Sequence, residues 1–199
     1  RAVSPVLRSW SPAAVHGGTA PARCTPNPKL PATQPKLADQ TRKALELLDS
    51  LVEVYAEVLA KLGELGAEWV QIDEPVLVED RSAAELEALE RAYTRLGQVD
   101  GAPKILVNTY FDHVGEAYPV LTRLPVAGIG LDLVRGERNL DLIREHGFPQ
   151  DKTLFAGVVS GRNVWINDLA KSIKLIGDLQ GQVGDVVVST SCSLQHSPI

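Results

Sequence analysis

Asp73 and Glu74 stand side by side just before Pro75. Adjacent carboxylates can divide acid and base work when their surroundings push their proton affinities apart. They close the apolar run Trp69-Val70-Gln71-Ile72. Successive side chains of a strand point to opposite faces, so both cannot face one cavity unless the strand has already ended. Two readings stay open. One carboxylate is aimed at a substrate amine or hydroxyl, or it pairs with Arg135 or Arg162 and fixes its surroundings, the commoner outcome for such constellations. Arg135 and Arg162 could themselves grip a carboxylate or phosphate through two parallel hydrogen bonds, or simply be solvated. Asn163, next to Arg162, fits a helix N-cap, a position that would favour an anion.

Cys192 and His196 lie four apart, a spacing that could offer two zinc ligands. Zinc prefers four, and no further donor stands near them in sequence. A nucleophilic cysteine would need a placed base and an electropositive setting. Packing is therefore the expected role of Cys192. HExxH, GxSxG, Walker and paired-cysteine zinc motifs are all absent from the sequence. On residue chemistry alone no catalytic residue and no metal ligand is assigned. The rim candidates are Asp73, Glu74, Asn108, Asp132, Arg135 and Arg162.

These residues recur at the ends of short apolar runs. Ala44, Leu48, Leu51, Tyr55, Val58, Leu62 and Leu65 step by four and three, which predicts one face of a long helix stopped by Gly66. Trp69 to Asp73 predicts a strand. Ser82 to Leu96 predicts a helix with Ser82 and Glu85 in capping-box spacing and Leu86, Leu89, Tyr93 and Leu96 facing inward. Strands are then expected over Lys104–Thr109, Val126–Leu133, Thr153–Val159 and Asp185–Ser189. Helices between them run through Val114, Tyr118 and Leu121, through Leu140 and Ile143 to Gly147, and through Leu169, Ile173 and Ile176. Five strands alternating with helices predict an α/β fold with parallel strands. The strands are short continuous apolar runs, as expected when both faces are covered. An open doubly wound sheet usually carries a Gly-rich turn after its first strand, and none is present. The expected architecture is a partial (β/α)8 barrel of the TIM type with about five βα units.

At 199 residues, 44% hydrophobic and 23% charged, the composition is that of an ordinary globular domain. A net charge of −5 argues against a nucleic-acid partner, and no stretch is apolar enough to span a membrane. Two distant cysteines suggest a reducing, cytoplasmic setting. Residues 1–38 differ from the remainder: they hold no Asp or Glu, five Lys or Arg and seven of the 13 prolines. They are expected to be irregular, as loop or disorder, with residues 39–199 forming the barrel portion. A basic, acid-poor segment also fits an organellar transit peptide or a misplaced start. The chain lacks methionine altogether, which suggests processing or an incomplete gene product.

Five ordered blocks carry a family resemblance. Gly66-Ala67-Glu68-Trp69-Val70-Gln71-Ile72-Asp73-Glu74-Pro75 is followed by Asn108-Thr109-Tyr110-Phe111 and by Leu131-Asp132-Leu133-Val134-Arg135-Gly136. Then come Gly157-Val158-Val159-Ser160-Gly161-Arg162-Asn163-Val164-Trp165 and Ser189-Thr190-Ser191-Cys192-Ser193-Leu194-Gln195-His196-Ser197-Pro198. Together they resemble the amino-terminal barrel of cobalamin-independent methionine synthases over about residues 44–198. The resemblance implies a two-barrel methyltransferase that moves a methyl group from 5-methyltetrahydrofolate polyglutamate to homocysteine. It implies a zinc in the carboxyl-terminal barrel, which is the expected partner and has no counterpart here. It further implies upstream basic residues that grip the glutamate tail, which residues 1–38 do not match, nor do they match the family's Gly-Pro-ended strand. No ligand residue is carried over, and the isolated chain is expected to be inactive. The alternatives are a non-catalytic docking module for a separate catalytic barrel, or an unrelated barrel enzyme using Asp73 or Glu74 as acid or base.

Overall fold

The computed structural model describes residues 45–197. The expectations for residues 1–38 and for Ala44 and Pro198 lie outside that range. Helix α1 spans Leu48–Glu64. Strand β1 (Trp69–Asp73) follows, then a 3-10 turn (Pro75–Val78) and α2 (Ala83–Leu96). Strand β2 is Lys104–Asn108, and α3 (Tyr118–Arg123) is entered through a 3-10 turn at Gly115–Ala117. Strand β3 (Gly128–Asp132), α4 (Arg138–His146), β4 (Thr153–Val159), α5 (Leu169–Gln180) and β5 (Asp185–Thr190) complete the alternation, with a last 3-10 turn at Leu194–His196.

All four strand pairings are parallel and the spatial order is β1-β2-β3-β4-β5. A doubly wound sheet reverses its strand order to place helices on both faces. Sequential order with right-handed crossovers puts every helix on the same face, as in a barrel wall. The side-chain pattern agrees. Val70, Ile72, Ile105, Val107, Ile129, Leu131, Leu154 and Ala156 alternate onto the helix-covered face and are all buried. The register sets Gln71 beside Leu106, Asp73 beside Asn108, and Gly130 beside Phe155 on the opposite face. There Gly130 keeps room for the Asn108 side chain, which a Cβ would strike. Five parallel strands with helices on one face form the barrel-type arc expected from the sequence.

The expected local signals hold at several places. Ser82 accepts from the Glu85 N–H while the Glu85 carboxylate accepts from the Ser82 N–H, closing the capping box. Gly66 ends α1 at φ 81, with the Ala67 N–H returning to the Leu62 carbonyl at 3.0 Å.

Two helix faces differ from expectation. The stripe that α1 buries is Leu48, Val52, Ala56 and Leu59. Leu51, Tyr55, Val58 and Leu62 flank it half-buried, and Leu65 is 74% exposed. The apolar arc of α1 is wider than one stripe, so spacing alone leaves open which edge meets the sheet. In α5, Leu169 and Ile173 are exposed, while Leu175, Ile176 and Leu179 turn toward the sheet. Asn163 is not a helix N-cap. Asp168 caps α5 by accepting from the Lys171 N–H, and Asn163 instead accepts from the Trp165 N–H within the loop.

Candidate functional site

The polar residues gather where the strands end, in two layers on the face away from the helices, with Glu74 turned the other way. Asp73 is buried and lies on the face away from the helices. It accepts from Gln71 Nε2 at 2.7 Å and from Asn108 Nδ2 at 3.3 Å. The Tyr110 hydroxyl also meets Asp73, and burial first, then that carboxylate, raises the Tyr110 pKa. Asp73 is thus tied into an amide and phenol network. Glu74 turns the other way, into the helix layer, and is fully buried. The Tyr93 hydroxyl donates to Glu74 Oε1 at 3.0 Å, and Oε2 has no hydrogen-bond partner among the described residues. Burial pushes the Glu74 carboxyl up to about 8, with the Tyr93 bond opposing and the Asp73 charge adding. Glu74 is therefore neutral at pH 7. Neither carboxylate pairs with Arg135 or Arg162, which corrects the ion-pair reading. Gln71, Asn108 and Tyr93 take those places.

The second layer is built on Asp132 at the end of β3. Its carboxylate is fully buried and accepts three backbone N–H groups, from Phe111 at 3.0 Å and from Val134 and Arg135 at 2.9 Å each. Asn139 ties the same corner, donating to the Asp132 carbonyl at 2.9 Å and accepting from the Val114 N–H at 3.0 Å. Phe111 lies at φ 87, the one non-glycine residue with positive φ among those described. Its ring packs at 4.9 Å from the His196 ring, at 4.7 Å from the Tyr110 ring, and 5.1 Å beneath the Arg162 guanidinium. Loops after β2, β4 and β5 therefore meet over one aromatic ring. Arg135 is exposed on the neighbouring loop. Of the six rim candidates, the structure brings Asp73 and Asn108 into direct contact and seats Asp132 under the Phe111 loop. Arg135 and Arg162 stand on the rim, and Glu74 alone is turned away.

Sequence reasoning did not single out Tyr93, Tyr110, Phe111 or Asn139. Tyr93 carried a usable signal, because an inward tyrosine needs a partner for its hydroxyl. Phe111 and Asn139 carried none, since their roles depend on loop geometry.

Cys192 is buried at 1% exposure, and burial raises its pKa. His196 lies edge-on to Phe111. Among the described residues no three His, Cys, Asp or Glu side chains come together as a metal site, so these residues do not fit a thiol-binding zinc. A groove of about 690 Å³ runs between α1 and α2, but Asp49, Glu53, Glu87, Glu90, Arg91 and Arg95 make it a solvated ion-pair seam on the helix layer. No helix among the described residues is long and apolar enough to cross a membrane.

The family described as cobalamin-independent synthase, N-terminal domain, matches residues 31–184. The chain belongs to that family. A 5-methyltetrahydropteroyltriglutamate–homocysteine methyltransferase of Streptomyces avermitilis is 54% identical over 156 residues, which are 78% of this chain and 20% of that protein. The Catharanthus roseus protein of the same description is 48% identical over 168 residues, 82% of this chain and 22% of its own length. The chain thus spans about one fifth of the length of these curated relatives. A solved structure from Listeria monocytogenes, provisionally described as a vitamin-B12-independent methionine synthase, superposes with a TM-score of 0.58. It does so at 15% identity, over 94% of this chain and 57% of that one. This likeness supports the fold.

Proposed function

We infer that residues 39–199 serve as part of the amino-terminal barrel of an enzyme that moves a methyl group from 5-methyltetrahydropteroyltriglutamate to homocysteine. The observation that carries this reading is the family match across the first four strands, ending just before β5, with relatives bearing that activity in their names. On this reading the chain contributes scaffold and rim rather than the reacting centre. Asp73, Gln71, Asn108 and Tyr110 hold the tips of β1 and β2 together. Asp132 and Asn139 shape the loops after β2 and β3. Glu74, neutral and sealed in the helix layer, is a packing group, which disfavours it as an acid or base toward a substrate at the rim.

Zinc bound to a thiol favours the thiolate and so makes a nucleophile at neutral pH. We place that zinc, and the homocysteine it would bind, in a carboxyl-terminal barrel that partners this domain. A cytoplasmic setting accompanies this reading.

The test is a segment exchange. Residues 44–198 of this chain replace the matching segment of the Streptomyces avermitilis relative, and methyl transfer to homocysteine is measured. The chimera is expected to turn over, and the purified chain alone is expected to show none. A folded chimera without turnover, or turnover by the chain alone, would end the proposal.

A further inference from the structure

We propose that Glu74, Arg81 and His113 wall an internal water-binding seam that joins the loop after β1 to the loop after β2. Among the described residues, three buried side-chain atoms have no hydrogen-bond partner: Glu74 Oε2, Arg81 Nε and His113 Nδ1. Other buried polar side chains, such as Thr109, Asp132 and Asn139, are paired. The three orphans are not scattered. One cavity of about 10 Å³ is lined by Glu74, Arg81 and Glu85 together with Leu77, Leu86 and Leu89. A second, of about 40 Å³, is lined by Arg81 and Leu86 again, with His113, Val114 and Gly115. Arg81 and Leu86 thus stand between the two chambers, and every orphan belongs to a residue that walls one of them. Leaving a buried donor or acceptor unpaired is costly, so three on one seam call for a common partner.

Tyr93 occupies Glu74 Oε1, which leaves Oε2 as the free end of the carboxyl. Glu85 and Glu79 take the two Nη atoms of Arg81, which fixes the guanidinium plane and leaves Nε–H as its spare donor. His113 Nδ1 lies 3.5 Å from where a Cβ on Gly115 would stand, against the turn that walls the second chamber. A neutral carboxyl with Oε1 accepting from Tyr93 carries its proton on Oε2, so Glu74 and Arg81 both present donors and need an acceptor. Water supplies one, and it can donate in turn to the Glu85 carboxylate or to His113. A space of about 10 Å³ is the least that admits one water, which needs roughly 10–15 Å³, and about 40 Å³ admits more than one. The Arg81 guanidinium opposes a cation here. Glu79, Asp80, Glu85 and Glu116, which also line the chambers, oppose an anion. The bound water ties the turn after β1, through Leu77 and Val78, to the turn after β2, through Val114 and Gly115. This site does not rest on the proposed function.

The experiment measures Overhauser transfer from water to the methyl groups of the full chain, since methyl protons do not exchange with solvent. The methyls of Leu77, Leu86 and Leu89 in the first chamber and of Val114 in the second are expected to show the cross-peaks of resident water. Leu194, 63% exposed, serves as the control and should show only the weak signal of mobile surface water. Chamber methyls that behave like Leu194 would overturn the site, as they would if Arg81 and Glu74 closed on each other directly. Glu74→Met keeps the length of the side chain and removes its polar atoms. It is expected to abolish the cross-peaks at Leu77 and Leu89 and to leave those at Val114. His113→Phe is expected to do the reverse. Cross-peaks that persist unchanged at Leu77 in the first variant or at Val114 in the second would show that these side chains do not hold the water. Should Glu74→Met fail to fold, the parent spectrum and His113→Phe decide by themselves.

Discussion

The Asp132 carboxylate accepts the Phe111 N–H at 3.0 Å, and Phe111 sits at φ 87. A bulky residue in that region costs about 1–3 kcal/mol and persists only where its surroundings over-determine it. Here one buried carboxylate supplies the constraint by gathering amides from two loops. Asp132→Asn keeps the shape but turns an N–H₂ group toward at least one backbone donor. A buried hydrogen bond to a charged acceptor contributes about 1.5–3 kcal/mol, so a loss of about 2 kcal/mol is expected in urea unfolding. The Phe111 amide should also exchange hydrogen faster. A midpoint within error of the parent would show that the turn is held by something else.

Glu74 predicts a pH slope. Its ordinary value of 4.5 rises to about 8 in the folded chain, chiefly through burial. Between these values the folded state holds a proton that the unfolded state releases. The contribution is fully present below pH 4.5 and declines as pH rises through about 8, by up to about 1.4 kcal/mol per unit. The groups that face Glu74 are Tyr93, Asp73 and Tyr55, and both tyrosine values are raised further, so they stay neutral through this window. Glu74→Gln removes the titration and should flatten the slope between pH 5 and 8 in urea melts. Parallel slopes for parent and variant would contradict a buried neutral carboxyl.

Much of this was readable in the residues, and the divisions have physical causes. Strands β1 and β4 match their expected bounds because each is a short apolar run flanked by turn residues. The opposite orientation of Asp73 and Glu74 followed from strand alternation. What Glu74 meets did not follow, since Tyr93 lies 19 residues on and its hydroxyl could have turned to several partners. The buried edge of α1 was misread because Leu51, Tyr55 and Leu62 are as apolar as Val52, Ala56 and Leu59. The Asp132 corner was illegible because a carboxylate bonded to backbone amides leaves no trace in residue types.

Glycine substitutions separate close approach from open space. A Cβ on Gly157 would lie 2.8 Å from the Leu131 carbonyl oxygen and 2.8 Å from Ser191 Cα, where β3, β4 and the end of β5 converge. These are backbone atoms and cannot step aside. Gly157→Ala is expected to cost about 1–3 kcal/mol. Gly177 in α5 has no neighbour within 4 Å of its added Cβ. Gly177→Ala should stabilise by up to about 1 kcal/mol through helix propensity. Thermal or urea unfolding of the two variants should therefore move in opposite directions, and a shared direction would contradict the packing described for β4.

The flank beyond β4 carries the last prediction. Val188 is 59% exposed on β5, and Leu169 and Ile173 are 68% and 71% exposed on α5. Trp165 and Ile166 add 81% and 99% exposure in the loop before α5. β3, two strands further in, is buried at every residue. An edge strand with apolar side chains and unpaired backbone groups is a template for association. The purified chain is expected to self-associate with rising concentration in sedimentation velocity. Val188→Lys with Ile173→Glu should shift it toward monomer while changing stability by no more than about 0.5 kcal/mol, because neither side chain is packed. A larger loss of stability would mean that this flank is already covered within the chain. Unchanged association would place the contact on another surface, the half-buried Leu51 and Leu62 side of α1 being the next to test.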